Sequence, residues 1–266
     1  MIRRRSLAFL GAALLAGAVA PLVPAQAADK ILKVGVSAGP YGDILREAAR
    51  LAAQDGLKAE IIEFTDWNQP NSALDAKEID LNNFQHRPYL ANQVKSRGYK
   101  LVPLDPSIVV PGGIFSQKVK SLADLPAGAK VGIPNDPTNA TRALFLLQEA
   151  GVIKLRPGSG TAASTLDVVE NPKRITFAEL DAAQLPRSLG DLDASFVSNN
   201  YAHLAGLKLK DALIVETKNS EWTLVFAARE DRKDDPEIRK FISIYRSAPV
   251  KAFIEEKFKG SILPTW

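Results

Sequence analysis

The sequence predicts an α/β fold of two lobes, and three observations carry that reading. Short β-rich runs alternate with amphipathic helical stretches, the pattern of sheets flanked by helices. The pattern breaks at Pro111-Gly112-Gly113 and resumes as a second block of the same kind. The chain then returns through residues 212–228 to a last helical stretch, which makes the first lobe discontinuous. Residues 30–112 with 222–266 form one lobe and 113–221 the other, with two strands crossing between them. Such an arrangement places a cleft at the lobe interface and lets the lobes close about a hinge.

Each element has its own signal. Leu32 to Val36 reads as the first strand, followed by a Gly39-Pro40 turn and a helix from Tyr41 with Ile44, Ala48, Leu51 and Ala52 on one face. Residues 60–64 read as a strand, 71–77 as helix, 79–81 as a short strand, 88–97 as helix and 100–110 as a longer extended run. In the second block, strands at 131–133, 175–179 and 194–197 are each followed by a helix, and 212–216 and 222–228 lead the chain back. Asp235-Pro236 caps a helix carrying Ile238, Phe241, Ile242 and Tyr245 at helical spacing, and a final helix carries Val250, Phe253 and Ile254.

Residues 1–27 have the form of a targeting segment. Arg3, Arg4 and Arg5 form a basic start, Leu7 to Ala20 an apolar stretch, and Ala25-Gln26-Ala27 a small-x-small cleavage site. The apolar stretch is shorter than the roughly 20 residues of a membrane span. The expectation is a soluble periplasmic protein beginning at Ala28. Without any cysteine there are no disulfides, thiolate metal sites, cysteine nucleophile or lipid attachment through an N-terminal Cys, so the protein is expected not to be lipid-anchored. Removing the three leader arginines from the 34 Lys and Arg leaves a near balance with the 30 Asp and Glu, and nothing in the charge points to nucleic acid.

The segment most suggestive of a site is Val131 to Arg142, where an apolar strand runs into a helix start. Asp136-Pro137 reads as N-cap and first helical position, and Asn139 and Arg142 share one face of the first turns. A cation there opposes the positive end of the helix dipole unless an anion is present, and a ligand carboxylate would supply one. A solvated arginine beside an ordinary cap fits the same residues. Trp67, Phe84, His86 and Tyr89 fall at strand ends and loops, where aromatic groups line a cleft better than a core. His86 taken alone reads better as a hydrogen-bonded structural imidazole than as a contact residue, and its place between Phe84 and Tyr89 reverses that preference.

Those stretches, Asp66-Trp67, Pro70-Asn71, Asn83 to Leu90 and the segment ending at Arg142, are joined by Val169 to Lys173, Ala183 to Leu189 and the ending at Trp266. Together they resemble the NlpA/MetQ-type family of methionine-binding substrate-binding proteins of bacterial ABC importers. The resemblance implies a two-lobed periplasmic binding protein, monomeric and without catalysis, metal or cofactor. Its ligand would be a methionine-like amino acid and its partners a membrane permease and ATPase. By position, Arg142 would pair with the ligand carboxylate, Asn139 would fix its polar end, and Trp67, Phe84, His86 and Tyr89 would surround a thioether, whose sulfur favours aromatic edges. Replacing Arg142 by Ala is then expected to cost binding far more than folding.

Three positions depart from the family pattern. Leu224 and Ser198 stand where related methionine binders carry Asn, and Phe115 replaces a common Tyr. Asn200 or Asn199 could take over from a missing amide. Alternatively, the ligand is another carboxylate-bearing molecule, a methionine derivative or short peptide. An exported hydrolase built on His86 lacks any Gly-x-Ser-x-Gly elbow. A soft-metal site has only two histidines, His86 and His203, which fall in different lobes.

Overall fold

Proline placement sets the helix starts. Pro40, Pro70, Pro88, Pro137, Pro236 and Pro249 each occupy one of the first two positions of a helix, where the missing N–H costs nothing and φ is already suitable. The computed structural model describes residues 31–217 and 220–266; the leader and its cleavage site lie outside the described residues.

The chain runs through β1 (Leu32–Ser37), α1 (Pro40–Gln54), β2 (Ala59–Phe64), α2 (Gln69–Asp75), β3 (Leu81–His86), α3 (Arg87–Arg97) and β4 (Leu101–Pro106). It crosses by way of β5 (Ile108–Val109) into β6 (Gly112–Phe115), β7 (Lys130–Pro134), α4 (Pro137–Glu149), β8 (Lys154–Leu155), β9 (Val168–Glu170) and β10 (Thr176–Leu180). There follow β11 (Ala194–Ser198), α5 (Asn199–Leu204) and β12 (Ile214–Val215), and the return through β13 (Leu224–Arg229), α6 (Pro236–Tyr245), α7 (Ala248–Phe258) and β14 (Leu263–Pro264).

Two five-stranded mixed sheets result, in the orders β2-β1-β3-β13-β4 and β10-β7-β11-β6-β12. In the first, β1 runs parallel to β2 and β3, while β13 is antiparallel to β3 and β4. In the second, β7 runs parallel to β10 and β11, and β6 is antiparallel to β11. Each sheet has its own core: Val34, Val36, Leu81 and Phe226 pack with Ile44, Leu45, Phe241 and Ile254, and Ile133 and Phe196 pack with Leu144 and Leu147. Open sheets of this kind bind ligands in the crevice beyond the carboxyl ends of their parallel strands. Here those ends include Ser37, His86, Pro134 and Ser198.

Two readings of the sequence shift. The short strand expected at 79–81 is instead β3 at Leu81–His86, buried at every position although four of its six residues are Asn, Asn, Gln and His. Its amides pair laterally. Asn71 Nδ2 donates to Gln85 Oε1 at 2.8 Å, and Asn71 Oδ1 accepts from Gln85 Nε2 at 2.6 Å and Asn82 Nδ2 at 3.0 Å. Asn83 Nδ2 donates to Ser107 Oγ at 2.8 Å. The polar run therefore satisfies itself away from water. After β10 the expected α-helix is replaced by turns and a single 3₁₀ turn at Arg187–Gly190, in keeping with the bias of Leu185, which precedes Pro186, away from helical backbone.

Candidate ligand-binding site

The two sheets meet around a small, partly open cavity of about 20 Å³. Tyr41, Trp67, Phe84, Gln85, His86, Tyr89 and Leu224 line it from the first sheet's side. Asn139, Arg142, Ser198 and Asn200 face them, and Val110 comes from the first crossing. That volume suits roughly one water, against roughly 300 Å³ or more for ordinary ligand pockets, so a ligand enters only when the walls move apart. Two larger depressions of about 600 and 640 Å³ are open to solvent, one along residues 145–172 and one at the cleft mouth beside Asp66, Asp181 and Tyr201. Size alone does not mark the site; the buried polar groups do.

His86 closes β3 and caps α3. Its Nδ1 accepts the Tyr89 N–H at 3.1 Å, so the ring proton sits on Nε2 and is donated to Asn139 Oδ1 at 3.2 Å across the cleft. Asn139 Nδ2 in turn donates to both oxygens of Asp136, the N-cap of α4, at 3.1 Å. Burial, aided by the nearby Arg142 charge and opposed by the Asn139 bond, lowers His86 from 6.5 to about 3. The imidazole is therefore neutral at physiological pH.

The linkage sign follows from that shift. Between about 6.5 and about 3 the unfolded chain binds the His86 proton and the folded one does not, so this contribution to stability is present above 6.5 and is lost as pH falls through that window. The slope is at most roughly 1.4 kcal/mol per pH unit. His86→Gln should remove this component, and denaturant unfolding of both proteins from about pH 8 to about pH 4 checks it. Parallel stability curves for the two would refute the assignment.

Arg142 differs from the sequence expectation of a cation waiting for a ligand. Its side chain is 4% exposed, and Glu216, at 9%, already supplies the anion. Nε and Nη2 donate to Glu216 Oε1 at 2.6 Å and Oε2 at 2.5 Å, and Nη2 also reaches the Val110 carbonyl at 2.7 Å. The guanidinium lies over the rings of Phe196 and Trp222, 5.6 and 5.8 Å from their centroids. Only Nη1 has no hydrogen bond among these contacts. Glu216 Oε2 accepts the Gly112 N–H as well, so one carboxylate ties Arg142 to the first crossing while itself sitting at the start of the second. Gly112 has to lack a side chain, since a Cβ there would drive into the Phe196 ring.

Asn200 is 0% exposed, and neither Oδ1 nor Nδ2 has a hydrogen-bond partner. Buried amides are rarely left so, which makes this side chain the plainest sign of a missing polar group in the cavity. The aromatic wall is continuous. Tyr89 meets Trp67, Phe84 and His86 edge-on at centroid distances of 6.4, 5.9 and 6.2 Å, and His86 meets Trp222 at 5.0 Å. Trp67 also lies 5.2 Å from Tyr201 across the cleft. Leu224 sits opposite His86 in the β13–β3 register and presents an apolar surface to the cavity. Ser198 ends β11 at the start of α5.

Nine of the ten residues singled out in the sequence line this one cavity; Phe115 does not. Strand alternation turns Phe115 away from Ile114 and into a separate cluster with Leu185, Leu189, Val197 and Tyr201. Tyr41, Gln85, Val110 and Glu216 were missed. Tyr41, whose hydroxyl is pushed up by burial, is the second residue of α1, just after the Gly39-Pro40 turn that follows β1, and that helix start beyond a strand was the available signal. Glu216 gave none, because its partner is 74 residues away.

Comparison with known proteins places this geometry in company. The family described as NlpA lipoprotein matches residues 32–266. The D-methionine-binding lipoprotein MetQ of Yersinia pestis is 43% identical over 247 residues, 91% of each chain. A nutrient binding protein from Burkholderia cenocepacia, solved bound to methionine, is 46% identical, with a TM-score of 0.84 over 88% of this chain and 100% of that one. An ABC transporter periplasmic substrate-binding protein from Coxiella burnetii is 41% identical, also with a TM-score of 0.84, over 88% and 100% of the two chains. The lipoprotein names overturn the expectation of a protein that is not lipid-anchored, while a periplasmic location agrees with them. That expectation rested on the absence of cysteine, which speaks to one attachment chemistry and not to where a protein is held.

Proposed function

The chain belongs to the NlpA lipoprotein family, and from that premise we propose that it is the substrate-binding protein of a bacterial ABC importer, capturing methionine or a related amino acid for a membrane permease and ATPase. The observation that carries this reading is the unpaired Asn200 amide in a narrow, aromatic-walled cavity that also holds Arg142. In it, Arg142 Nη1 meets the ligand carboxylate, Asn200 satisfies the polar head, and the Trp67, Phe84, His86 and Tyr89 faces surround the side chain. The neutral His86 adds no charge that would repel a zwitterion. Residues 30–112 with 222–266 and residues 113–221 serve as the moving halves, and the protein acts as a monomer without catalysing a reaction.

Isothermal titration with L- and D-methionine tests the proposal, preceded by native mass spectrometry of freshly purified protein to weigh any ligand already held. Saturable one-to-one binding of either enantiomer is expected, and no heat from either, with no retained amino acid, would sink it. Leu224 tunes the affinity. An amide there would face the head group in place of an apolar surface, so Leu224→Asn should tighten methionine binding by about 1–3 kcal/mol, roughly 5- to 150-fold. Unchanged or weaker binding would show that Leu224 does not face the ligand head.

A further inference from the structure

We propose that Glu216 selects ligands by charge: it makes the cavity accept molecules carrying both a carboxylate and an ammonium and reject acids of the same shape without the ammonium. The inference rests on the reading that this cavity takes an amino acid. Among the residues lining the cavity, Arg142 alone is charged, since His86 is neutral and the tyrosine hydroxyls are pushed up by burial. Behind Arg142, outside the cavity lining, stands the Glu216 carboxylate, bound along the Nε–Nη2 edge and fixed from the other side by the Gly112 N–H. The guanidinium is held in place: it lies against the Phe196 and Trp222 rings, and Val110 accepts from Nη2.

The electrostatic consequence is direct. A carboxylate arriving at Nη1 shares one cation with Glu216, the two anions lying about one guanidinium width, ~6 Å, apart. For a ligand whose net charge is −1, the Arg142–Glu216 pair gains an anion it cannot neutralise, in surroundings that water barely enters. At an effective dielectric of about 20 that repulsion corresponds to an affinity loss on the order of 100-fold. An amino acid brings its own ammonium and leaves the site neutral. Glu216 therefore acts as a positioning and specificity-determining residue: it orients Arg142, and its charge penalises anions that have no cation of their own.

The test compares methionine with the 2-hydroxy acid of the same skeleton, in which a hydroxyl replaces the ammonium. The wild-type protein should bind the amino acid on the order of 100-fold more tightly. Glu216→Gln keeps the shape and one acceptor but removes the charge, and should narrow that ratio at least about tenfold, chiefly by strengthening the hydroxy acid. A purely structural Glu216 would weaken both ligands and leave the ratio alone. Where the variant is too unstable for calorimetry, melting curves decide instead. The hydroxy acid should raise the variant's Tm by more than it raises the wild type's, and equal shifts overturn the proposal. An unchanged ligand ratio, or a wild type that does not discriminate, overturns it as well. A wild type that binds neither molecule removes the underlying functional reading and this inference with it.

Discussion

Arg142→Ala is expected to abolish tight ligand binding and also to destabilise the ligand-free protein. Losing one side of a desolvated arginine–carboxylate contact costs roughly 2–5 kcal/mol of affinity, about 30- to several-thousand-fold. The effect on folding departs from what the sequence alone implies, because Glu216 is left buried, holding a charge with the Gly112 N–H as its remaining donor among these contacts. Breaking a buried pair from one side costs about 3–5 kcal/mol. In a chain of this size that corresponds to a fall in Tm of roughly 6–20 °C. Replacing both partners by apolar residues of similar volume, Arg142→Met with Glu216→Leu, should restore much of the stability and none of the binding. Thermal melts and titrations on the three proteins separate the roles. If Arg142→Ala melts with the wild type, the Glu216 pairing does not hold the cleft together; if it binds normally, the pocket lies elsewhere.

The second large effect is expected at Asn71, which does not itself line the cavity. Asn71 is 0% exposed and exchanges three side-chain hydrogen bonds with Gln85 and Asn82. Asn71→Ala leaves Gln85 Oε1 without that donor in a dry interior and opens a cavity. Gln85 Nε2 and Asn82 Nδ2 keep other acceptors, Asn82 Oδ1 and the Pro70 carbonyl. The cost should be about 2–4 kcal/mol. Because Gln85 also lines the cavity, ligand affinity should fall with stability, by a smaller factor. A shift in Tm below about 2 °C would mean that the amides of β3 find water or new partners when Asn71 is gone.

These two residues show where the sequence was legible and where it was not. The Asp136-Pro137 cap of α4 and the apolar runs of β1 and β7 could be read because their signals are local: a side-chain oxygen three residues from the N–H it accepts, and a proline ring that fixes φ. The identity of β3 could not, since Asn-Asn-Phe-Gln-His reads as a loop until α2, 11 to 14 residues earlier, supplies the matching amide. His86 and Ser198 end strands, where a change of pattern is visible, but Trp67, Asn200 and Leu224 carry no such signal and came from the family resemblance. The charge state of the cavity was hidden, because the carboxylate that neutralises Arg142 belongs to the far crossing. Phe115 entered through the family pattern, and its strand face, which one residue of register decides, turns it into a separate cluster.

The place of β13 in the first sheet has a consequence for how the molecule is made. β3 and β4 are consecutive in the chain, yet β13 lies between them and pairs with both. Until residues 224–229 arrive, the first sheet consists of two pieces, each with a bare edge, separated by a slot of one strand's width. The second sheet draws all five of its strands from residues 112–215 and is complete before that slot can fill. Contacts that close such long stretches of chain form slowly, and an unfilled slot flanked by buried strands is a template for the wrong strand. The same interleaving that joins the two sheets by two crossings thus fixes an order of assembly. The lobe begun first is finished last, and the nascent chain carries an open sheet for the whole time its neighbour is being built.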